Sequence, residues 1–482
     1  MKLADLVPPE ADLPVGAATI DIAAITADSR QVKAGTLFAA IPGTRFDGAR
    51  FIPDAVAAGA AAILAAADAD IHDCPVPVMR AVDPRRILAF MAARLYARQP
   101  ETTVAVTGTS GKSSVAEFTR QIFMSLGHRA ASVGTIGIVK PDGSIYGSLT
   151  TPDPVMLHAI LAELADEGVT HLAFEASSHG LDQRRLDGVK LAAAAFTNLG
   201  RDHLDYHPTI EDYLAAKLRL FDTLLPEGGG VVLNADVPEA ARITEIARAR
   251  QQQIWRIGCS EDATLRLDEV QPDGFGQRIV IAYEGKLESV RLHLIGTYQA
   301  MNALTAAGLA LAVGAPFELV VPALEKLAGV RGRLEVVGAV RGATVVIDYA
   351  HKPDALAAAL DALRPFVTGQ LICVFGCGGD RDPGKRAIMG QISAAKADVT
   401  VVTDDNPRSE DPAAIRAAIL AAAPGAREIS SRGEAIAAAL AMAGPGDVVL
   451  IAGKGHETGQ IVGDKILPFC DHDAVAAVLK EM

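Results

Sequence analysis

The sequence predicts a protein of the α/β class with three domains. Runs rich in Val, Ile and Leu alternate with alanine-rich helical segments, which is typical of parallel strands covered by helices on both faces. The length of 482 residues allows three domains of about 150 residues each. We expect a small α/β domain at residues 1–99, a central domain with a mostly parallel sheet at 100–331, and a Rossmann-like domain at 332–482.

Composition and charge exclude several classes of protein. The formal net charge of −13 disfavours a nucleic-acid or membrane-surface partner. The five cysteines are scattered and odd in number, as expected in a reducing compartment. The N-terminus has no apolar signal segment, and no apolar run approaches the ~20 residues of a membrane span. We therefore expect a cytoplasmic protein with no nucleic-acid partner and no membrane span.

The N-terminal domain carries weak signals only. Residues 35–43 read as a strand that ends in a turn, and the alanine-rich segment 52–66 reads as a helix. Ser29, Thr44 and Arg45 lie in polar loops that suit either a bound ligand or solvated turns, and taken alone the turns are the simpler interpretation.

The first strand of the central domain runs into a glycine loop that suits phosphate. Residues 102–107 are β-branched and apolar, Gly108 to Gly111 form the loop, and Lys112 opens a helix. This order aims free backbone N–H groups and the positive end of the helix dipole at one point. Val106 stands where the strict phosphate-loop pattern has its first glycine, so an ordinary strand–turn–helix junction is the alternative. The context favours a central domain like a P-loop ATPase, with Lys112 on the phosphates and the Ser113 hydroxyl on Mg²⁺.

Two further polar clusters follow strands of the same domain. One begins at Glu175 after the strand predicted at 170–175, and the other includes His203 after the strand predicted at 192–197. Alone, Glu175 is explained as a helix cap, His203 as a structural histidine and Lys217 as a surface lysine. Because ligands collect at the carboxyl ends of parallel strands, the clusters together predict a site for Mg²⁺ and a substrate.

The C-terminal domain repeats this arrangement. Strands are predicted at 343–348, 371–376, 398–403 and 447–452, and each is followed by a polar loop. Loops at the same edge of one sheet predict a second binding surface, which faces the first across a hinge at 330–335.

Together these clusters resemble the Mur ligases, the ATP-dependent enzymes that extend the peptide of the cell-wall precursor. The resemblance covers nearly the whole chain and rests on residues 107–113, 175–181, 197–205, 216–217, 332–335, 348–351 and 452–457. Ser110 and Ser113 stand where the family loop usually has Asn and Thr, and Ser113 keeps the hydroxyl for Mg²⁺.

Within the family, residues 177–181 and 405–408 resemble the ligases that add the third residue of the peptide. The resemblance implies an ATP-dependent amide ligase of peptidoglycan precursor synthesis. It would add meso-2,6-diaminopimelate to the D-Glu carboxylate of UDP-MurNAc-L-Ala-D-Glu through an acyl phosphate, with ATP and Mg²⁺. We expect it to act as a monomer.

The resemblance also implies the site residues. The nucleotide would be bound by Gly108, Thr109, Ser110, Gly111, Lys112, Ser113, Ser114, Asn302, Arg333, Asp348 and His351. The UDP substrate would be bound by Ser29, Thr44, Arg45, Thr150, Thr151, Ser177, Gln183 and Arg185. The diaminopimelate would be bound by Arg381, Asp405, Asn406, Pro407, Arg408, Gly453 and Glu457. The metal site would comprise Ser113, Glu175, His203 and Lys217 as a carbamate, and the catalytic residues would be Lys112, Lys217, His203 and Glu175.

The preference for diaminopimelate over lysine as the added amino acid is also expected on physical grounds. Diaminopimelate has a carboxylate that lysine lacks, and Arg408 with Asn406 offers a charged fork for that group. Lysine would leave the fork unpaired. The alternatives are a relative such as folylpolyglutamate synthetase, a P-loop phosphotransferase, and a nucleotide-binding regulatory protein without turnover.

Overall fold

The computed structural model describes residues 1–43, 47–146, 151–203 and 206–481. Its N-terminal sheet is parallel, in the order β1-β2-β3-β4. The strands are β1 (Ala24–Thr26), β2 (Thr36–Ala40), β3 (Ala60–Ala66) and β4 (Val78–Ala81), and the helices are α1 (Leu3–Leu6), α2 (Ile52–Ala57) and α3 (Pro84–Leu95). Short 3-10 turns span Ser29–Gln31 and Gly48–Phe51.

The helix predicted over residues 52–66 is wrong in its second half. Helix α2 ends at Ala57, and the chain then enters the buried strand β3. Gly59 has a φ of +99°, which ends the helix, and β3 lies between β2 and β4 where both faces are covered. Alanine-rich composition favoured a helix, but tertiary pairing decided the structure of this short apolar run.

The central sheet runs in the order β15-β14-β13-β12-β11-β10-β5-β9-β6-β7-β8. Its strands are β5 (Thr102–Thr107), β6 (Ala130–Gly134), β7 (Gly137–Val139), β8 (Ile145–Tyr146), β9 (His171–Glu175), β10 (Ala193–Phe196), β11 (Gly230–Asn234), β12 (Gln253–Gly258), β13 (Leu265–Pro272), β14 (Gln277–Tyr283) and β15 (Lys286–Leu292). Its helices are α4 (Lys112–Ser125), α5 (Pro154–Asp166), α6 (Ser178–Asp182), α7 (Ile210–Arg219), α8 (Ala240–Ala249), α9 (Thr297–Ala312) and α10 (Phe317–Glu325). A π-helical turn, Leu220–Leu224, continues α7.

The parallel part of this sheet places the phosphate loop at its centre. Strand β5 lies between β10 and β9, and all three run in the same direction. Apolar side chains form one core layer on each face of the sheet. The loops that follow β5, β9 and β10 therefore emerge side by side at one edge.

The C-terminal sheet runs in the order β16-β17-β21-β18-β19-β20, and a separate hairpin is formed by β22 and β23. The strands are β16 (Glu335–Val340), β17 (Ala343–Asp348), β18 (Leu371–Phe375), β19 (Val399–Val402), β20 (Arg427–Glu428), β21 (Val448–Ala452), β22 (Gly459–Val462) and β23 (Lys465–Pro468). The helices are α11 (Pro353–Leu363), α12 (Gly384–Lys396), α13 (Pro412–Leu420), α14 (Arg432–Met442) and α15 (Asp471–Glu481), with a 3-10 turn at Arg364–Phe366.

The predicted α/β class is confirmed, with mostly parallel sheets in all three parts of the chain. The strands predicted at 102–107 and 343–348 are confirmed with those bounds, and the others predicted in the central and C-terminal domains differ by one residue at one end or at both ends. Within the part of the chain that the structure describes, no helix combines the length and apolar character needed to cross a membrane.

Candidate active site

The phosphate loop is a tight turn that glycine makes possible. Gly108 has a φ of +146°, and a Cβ there would lie 2.0 Å from Thr197 Oγ1. Gly111 has a φ of +88°, and a Cβ there would lie 2.4 Å from Asn302 Oδ1. The loop therefore passes between residue 197 and helix α9 only if positions 108 and 111 carry no side chain.

Contacts from the neighbouring strand fix the loop. The backbone N–H of Thr109 donates to Asn198 O at 2.8 Å, and that of Ser110 donates to Asn198 Oδ1 at 3.0 Å. Thr197 Oγ1 donates to Ser110 O at 2.6 Å. Ser113 and Ser114, in the first turn of α4, are both buried. These bonds hold the open end of α4 ready for an anion.

Lys112 folds over its own loop. Its Nζ donates to Gly108 O and to Thr109 O, each at 3.0 Å. Burial lowers the pKa of Lys112 to about 8, and the carboxylate of Glu175 opposes that effect. The ammonium thus lies over the point at which the loop is built to receive phosphate.

Lys217 is a buried lysine and not the surface residue that its helical position alone indicated. Its side chain is 1% exposed, and its Nζ donates to Gly108 O at 2.8 Å. The Nζ also lies 4.2 Å from the centroid of the Tyr213 ring. Burial, reinforced by the charge of Lys112, holds the pKa of Lys217 well below its usual range. A neutral amine at this position is a nucleophile.

Glu175 ends strand β9 and is held by the loop after β6. Its Oε1 accepts a hydrogen bond from the Thr135 backbone N–H at 2.7 Å, and its Oε2 accepts one from Thr135 Oγ1 at 3.2 Å. A Cβ on Gly134 would lie 2.2 Å from Glu175 Oε1, so this approach requires glycine. The carboxylate is 1% exposed and fixed at the sheet edge.

His203 lies beside an ion pair that joins two domains. Its Nε2 is 3.1 Å from Asp202 Oδ2, and the same carboxylate pairs with the Lys352 ammonium of the C-terminal domain. Burial lowers the pKa of His203 to about 4, so the imidazole is neutral at pH 7. Burial raises the pKa of Asp202, but the Lys352 charge, the hydrogen bond from Lys352 and the neighbouring histidines together outweigh burial and set that pKa at about 2.

The predicted metal set has a donor chemistry that fits Mg²⁺. It comprises a carboxylate, a hydroxyl, a neutral imidazole and, after carbamylation of Lys217, two further oxygens, and hard oxygen donors are what Mg²⁺ prefers. Among the described side chains, no three of the types His, Cys, Asp and Glu are gathered as a metal cluster. A magnesium site built from this set would therefore depend on Ser113 and on carbamylation of Lys217.

The segment at 330–335, which the sequence predicts to be a hinge, places Arg333 at the phosphate loop. Its Nη2 donates to Ser113 Oγ at 3.3 Å, its guanidinium lies 4.3 Å from the centroid of the Tyr349 ring, and its buried Nη1 has no hydrogen-bond partner. An unpartnered guanidinium nitrogen beside a phosphate loop is suited to a phosphate oxygen.

The other predicted nucleotide residues lie around the same hinge. Asn302 Nδ2 donates to Gln299 Oε1 at 2.9 Å on helix α9. Asp348 Oδ2 accepts from the Leu334 backbone N–H at 2.7 Å, and burial raises the pKa of Asp348 to about 6. His351 Nδ1 is 2.8 Å from Tyr349 O, and burial lowers its pKa to about 3.

Several residues predicted for the UDP substrate form one hydrogen-bonded cluster. Thr151 Oγ1 is 2.9 Å from Ser177 Oγ, and Arg185 Nη1 donates to Thr151 O at 2.6 Å. Arg185 Nη2 also donates to Gln183 Oε1 at 2.8 Å. Ser29 lies apart in the N-terminal domain, where it begins a 3-10 turn. Thr44, Arg45 and Thr150 lie outside the described residues, as do positions 204 and 205.

Loops after β18, β19 and β21 meet in the C-terminal domain. Asn406 Nδ2 donates to Glu457 Oε2 at 3.0 Å, and Arg408 Nη1 donates to Gly379 O at 2.8 Å. A Cβ on Gly379 would lie 2.0 Å from Pro407 O, which shows how closely two loops pass. Asp405 is buried, and a Cβ on Gly453 would lie 2.7 Å from its Oδ2. The structure thus gathers this predicted group, with Arg381 exposed at its rim.

Sequence reasoning missed several residues that the structure places at these sites. Lys352 pairs with Asp202 across the domains, Thr135 holds Glu175, and Lys454 is fully buried beside Asn406 and Glu457. Lys454 stands between two glycines in a loop after a buried strand, within the stretch 452–457 that carries the family resemblance, but neither feature indicated a role for its own side chain.

Comparison with known proteins matches the chain along most of its length. The model described as "Mur ligase family, catalytic domain" matches residues 21–96, "Mur ligase middle domain" matches 106–310, and "Mur ligase, glutamate ligase domain" matches 332–455. The UDP-N-acetylmuramoyl-L-alanyl-D-glutamate–2,6-diaminopimelate ligase of Bradyrhizobium diazoefficiens is 55% identical over 99% of each chain.

Solved structures match the fold. A structure of a UDP-N-acetylmuramoyl-L-alanyl-D-glutamate–2,6-diaminopimelate ligase has a TM-score of 0.73 and 31% identity, covering 100% of this chain and 99% of that one. The MurF ligase of Thermotoga maritima in complex with ADP has a TM-score of 0.64 at 19% identity, covering 96% and 97%, which bears on the fold alone. With 55% identity to a relative over nearly its full length, the chain belongs to the Mur ligase family.

Proposed function

We propose that this chain is the ATP-dependent ligase that joins meso-2,6-diaminopimelate to the D-Glu carboxylate of UDP-MurNAc-L-Ala-D-Glu, releasing ADP and phosphate. The observation that carries the proposal is 55% identity, over 99% of both chains, to a relative that bears the name of this ligase. The phosphate loop of the central domain and the polar pocket of the C-terminal domain, joined through the hinge, fit a reaction with two successive transfers.

In the first transfer, an oxygen of the D-Glu carboxylate forms a bond to the γ-phosphorus of ATP. The bond from that phosphorus to the bridging oxygen breaks, and ADP leaves with the electron pair. Lys112, above the Gly108 and Thr109 carbonyls, is placed to take up charge on the transferred group. Arg333 brings a second cation from the hinge, with its Nη1 available for a phosphate oxygen.

In the second transfer, the neutral amine of diaminopimelate attacks the acyl carbon, and phosphate leaves as the amide forms and the amine loses a proton. Contacts between the domains, at Arg333 with Ser113 and at Lys352 with Asp202, hold the C-terminal pocket against the central sheet. Such closure aligns the amine and keeps water from the acyl phosphate.

The fit of the site to Mg²⁺ rests on Lys217. Its Nζ is buried beside Gly108 O and its pKa is held well below the usual range, and the neutral form of such an amine reacts with CO₂ to give a carbamate with loss of a proton. We infer that the carbamate, Glu175, His203 and the Ser113 hydroxyl hold Mg²⁺. When bound, the ion neutralises charge on the phosphates as they separate.

The remaining residues are assigned by their place in the fold. The cluster of Thr151, Ser177, Gln183 and Arg185 would bind the UDP substrate beside Glu175. We also propose domain boundaries near residues 99/100 and 331/332, in keeping with the separate sheets. The cytoplasmic location and the monomeric state stay predictions.

The test is phosphate release by the purified protein with ATP, Mg²⁺ and UDP-MurNAc-L-Ala-D-Glu, with meso-diaminopimelate or L-lysine added separately. We expect release with diaminopimelate and little with lysine. Arg408→Ala should raise KM for diaminopimelate by about tenfold or more, the worth of a charged hydrogen bond. The exposed Arg427→Ala is the matched control. Equal release with both amino acids would contradict the specificity, and release with neither would contradict the ligase.

A further inference from the structure

A fully buried lysine supports the C-terminal pocket. Lys454 follows strand β21, and its side chain is 0% exposed. Its Nζ donates to Asn406 Oδ1 at 3.1 Å and to Glu457 Oε2 at 3.0 Å. Burying an ammonium is costly unless it is paired and hydrogen-bonded, so these two acceptors determine where its charge lies.

The lysine and a backbone group together set the orientation of Asn406. The Ile461 backbone N–H, which can only donate, lies 2.9 Å from Asn406 Oδ1, on the same oxygen that Lys454 contacts. The Asn406 amide nitrogen must then point the other way, and it donates to Glu457 Oε2 at 3.0 Å. Lys454, Asn406 and Glu457 thus form a closed triangle.

This triangle leaves the two oxygens of Glu457 unequal. Oε2 is occupied by both Lys454 Nζ and Asn406 Nδ2, each at 3.0 Å. Among the residues that the structure describes, Oε1 accepts a hydrogen bond from the Tyr349 hydroxyl alone, at a long 3.4 Å. A ligand ammonium is therefore directed to Oε1, on a carboxylate whose charge Lys454 already balances in part.

The charged side chains around Lys454 make it important for the net charge of the pocket. Buried Arg432 pairs with Asp471 through hydrogen bonds of 2.7 Å, and Asp405 is buried next to Gly453. Arg432 and Lys454 are the cations whose charges lower the pKa of buried Asp405, so without Lys454 the positive charge facing Asp405, Asp471 and Glu457 is reduced. An excess of negative charge attracts any bare ammonium.

We propose that Lys454 is a positioning residue that determines amino-acid specificity, an inference that rests on the proposed function. Lys454 holds the Asn406 amide in one orientation. It also weakens the attraction of Glu457 for a ligand that offers an ammonium without a neighbouring carboxylate. Selection then depends on the carboxylate that Arg408 binds, which diaminopimelate has and L-lysine lacks.

The experiment compares KM for diaminopimelate with the inhibition constant of L-lysine against diaminopimelate-dependent phosphate release. In Lys454→Met, we expect KM for diaminopimelate to rise about tenfold or more, as for loss of a charged hydrogen bond, while the inhibition constant of lysine falls or stays the same. KM for ATP should not change. Lys465→Met, an exposed lysine on the adjacent hairpin, is the control and should resemble the wild type.

Equal changes for both amino acids, or no change for either, would overturn the role of Lys454. If Lys454→Met does not fold, Glu457→Gln tests the same balance from the other side. In Glu457→Gln, the inhibition constant of L-lysine should rise by a larger factor than KM for diaminopimelate. A larger rise in KM for diaminopimelate, or equal changes, would refute the proposal. Wild-type release that does not depend on diaminopimelate would instead refute the proposed function.

Discussion

At the scale of single residues, burial decides which of the lysines carries chemistry. Lys217 resembles an ordinary helical surface lysine in sequence, and only the resemblance to a family gave it a role. The structure supplies the physical cause, because burial and the neighbouring Lys112 hold the pKa of its amine well below the usual range beside the Gly108 carbonyl. The sequence pattern of α7 places Lys217 on a helix, but it does not show that the phosphate loop, 108–111, covers this side chain.

Removal of Lys217 should therefore abolish most of the activity. Lys217→Ala loses an oxygen donor of the proposed Mg²⁺ site, and loss of a metal-site group costs about 10- to 100-fold or more in activity or metal affinity. The measurement is phosphate release over a series of Mg²⁺ concentrations. Lys190→Ala, an exposed lysine of the same domain, should behave as the wild type. An active Lys217→Ala with an unchanged Mg²⁺ requirement would refute the carbamate.

Buried Asp348 should lower the free energy of unfolding at neutral pH. Burial raises its folded pKa from 3.8 to about 6, so the stability it gives is present below pH 4 and lost as the pH rises through 6. At 1.36 kcal/mol per pKa unit, the loss is about 3 kcal/mol at most. Asp348→Asn can still accept from Leu334 N–H, so it should melt at a higher temperature than the wild type at pH 7.5 but not at pH 4.5.

Thermal melting at both pH values tests this expectation, with Asp361→Asn, an exposed aspartate on α11, as the control. A stability gain of the same size at pH 4.5 and pH 7.5 would contradict the assignment. Because Asp348 lies at the proposed nucleotide site, the stabilised variant should also lose activity.

At the scale of elements, a strand could be predicted where an apolar run is followed by a polar loop. The secondary structure of short alanine-rich segments could not be predicted. The strand at 102–107 and the helix from Lys112 are found as predicted, since β-branched residues and a glycine loop leave few alternatives. Residues 60–66 have the composition of a helix yet form a strand, because pairing with two neighbours outweighs local propensity. Contacts between loops, such as that of Lys352 with Asp202, leave no pattern in a single sequence.

The contact between Lys352 and Asp202 lies at the start of helix α11, and it should stabilise the arrangement in which the C-terminal domain is closed against the central domain. Lys352→Ala leaves the Asp202 carboxylate without its partner from the other domain, and a cost of about 1.4 kcal/mol would lower kcat about tenfold. KM for ATP should change little, because the phosphate loop is intact. Steady-state kinetics test this, with Lys396→Ala on α12 as the control for a lysine paired within its own domain. A rise in KM for ATP with an unchanged kcat would contradict a role in closure.

At the scale of the whole molecule, two sheets present their loops to one another across the hinge. Arg333 joins the hinge to Ser113, and Tyr349 links that arginine to Glu457 in the C-terminal pocket. In the proposed function, the central sheet would hold the phosphates and the C-terminal sheet would hold the amine. This division was foreseeable from the polar loops after the strands, whereas the side chains that connect the two halves were not.

The central claim is that the D-Glu carboxylate is phosphorylated and then captured by diaminopimelate. Its most direct test uses UDP-MurNAc-L-Ala-D-Glu whose terminal carboxylate is labelled with oxygen-18, followed by mass spectrometry of the released phosphate and of the product. If the reaction runs through an acyl phosphate, each released phosphate carries one labelled oxygen and the product is heavier by one diaminopimelate residue. Phosphate without the label would contradict the acyl phosphate and with it the proposed reaction.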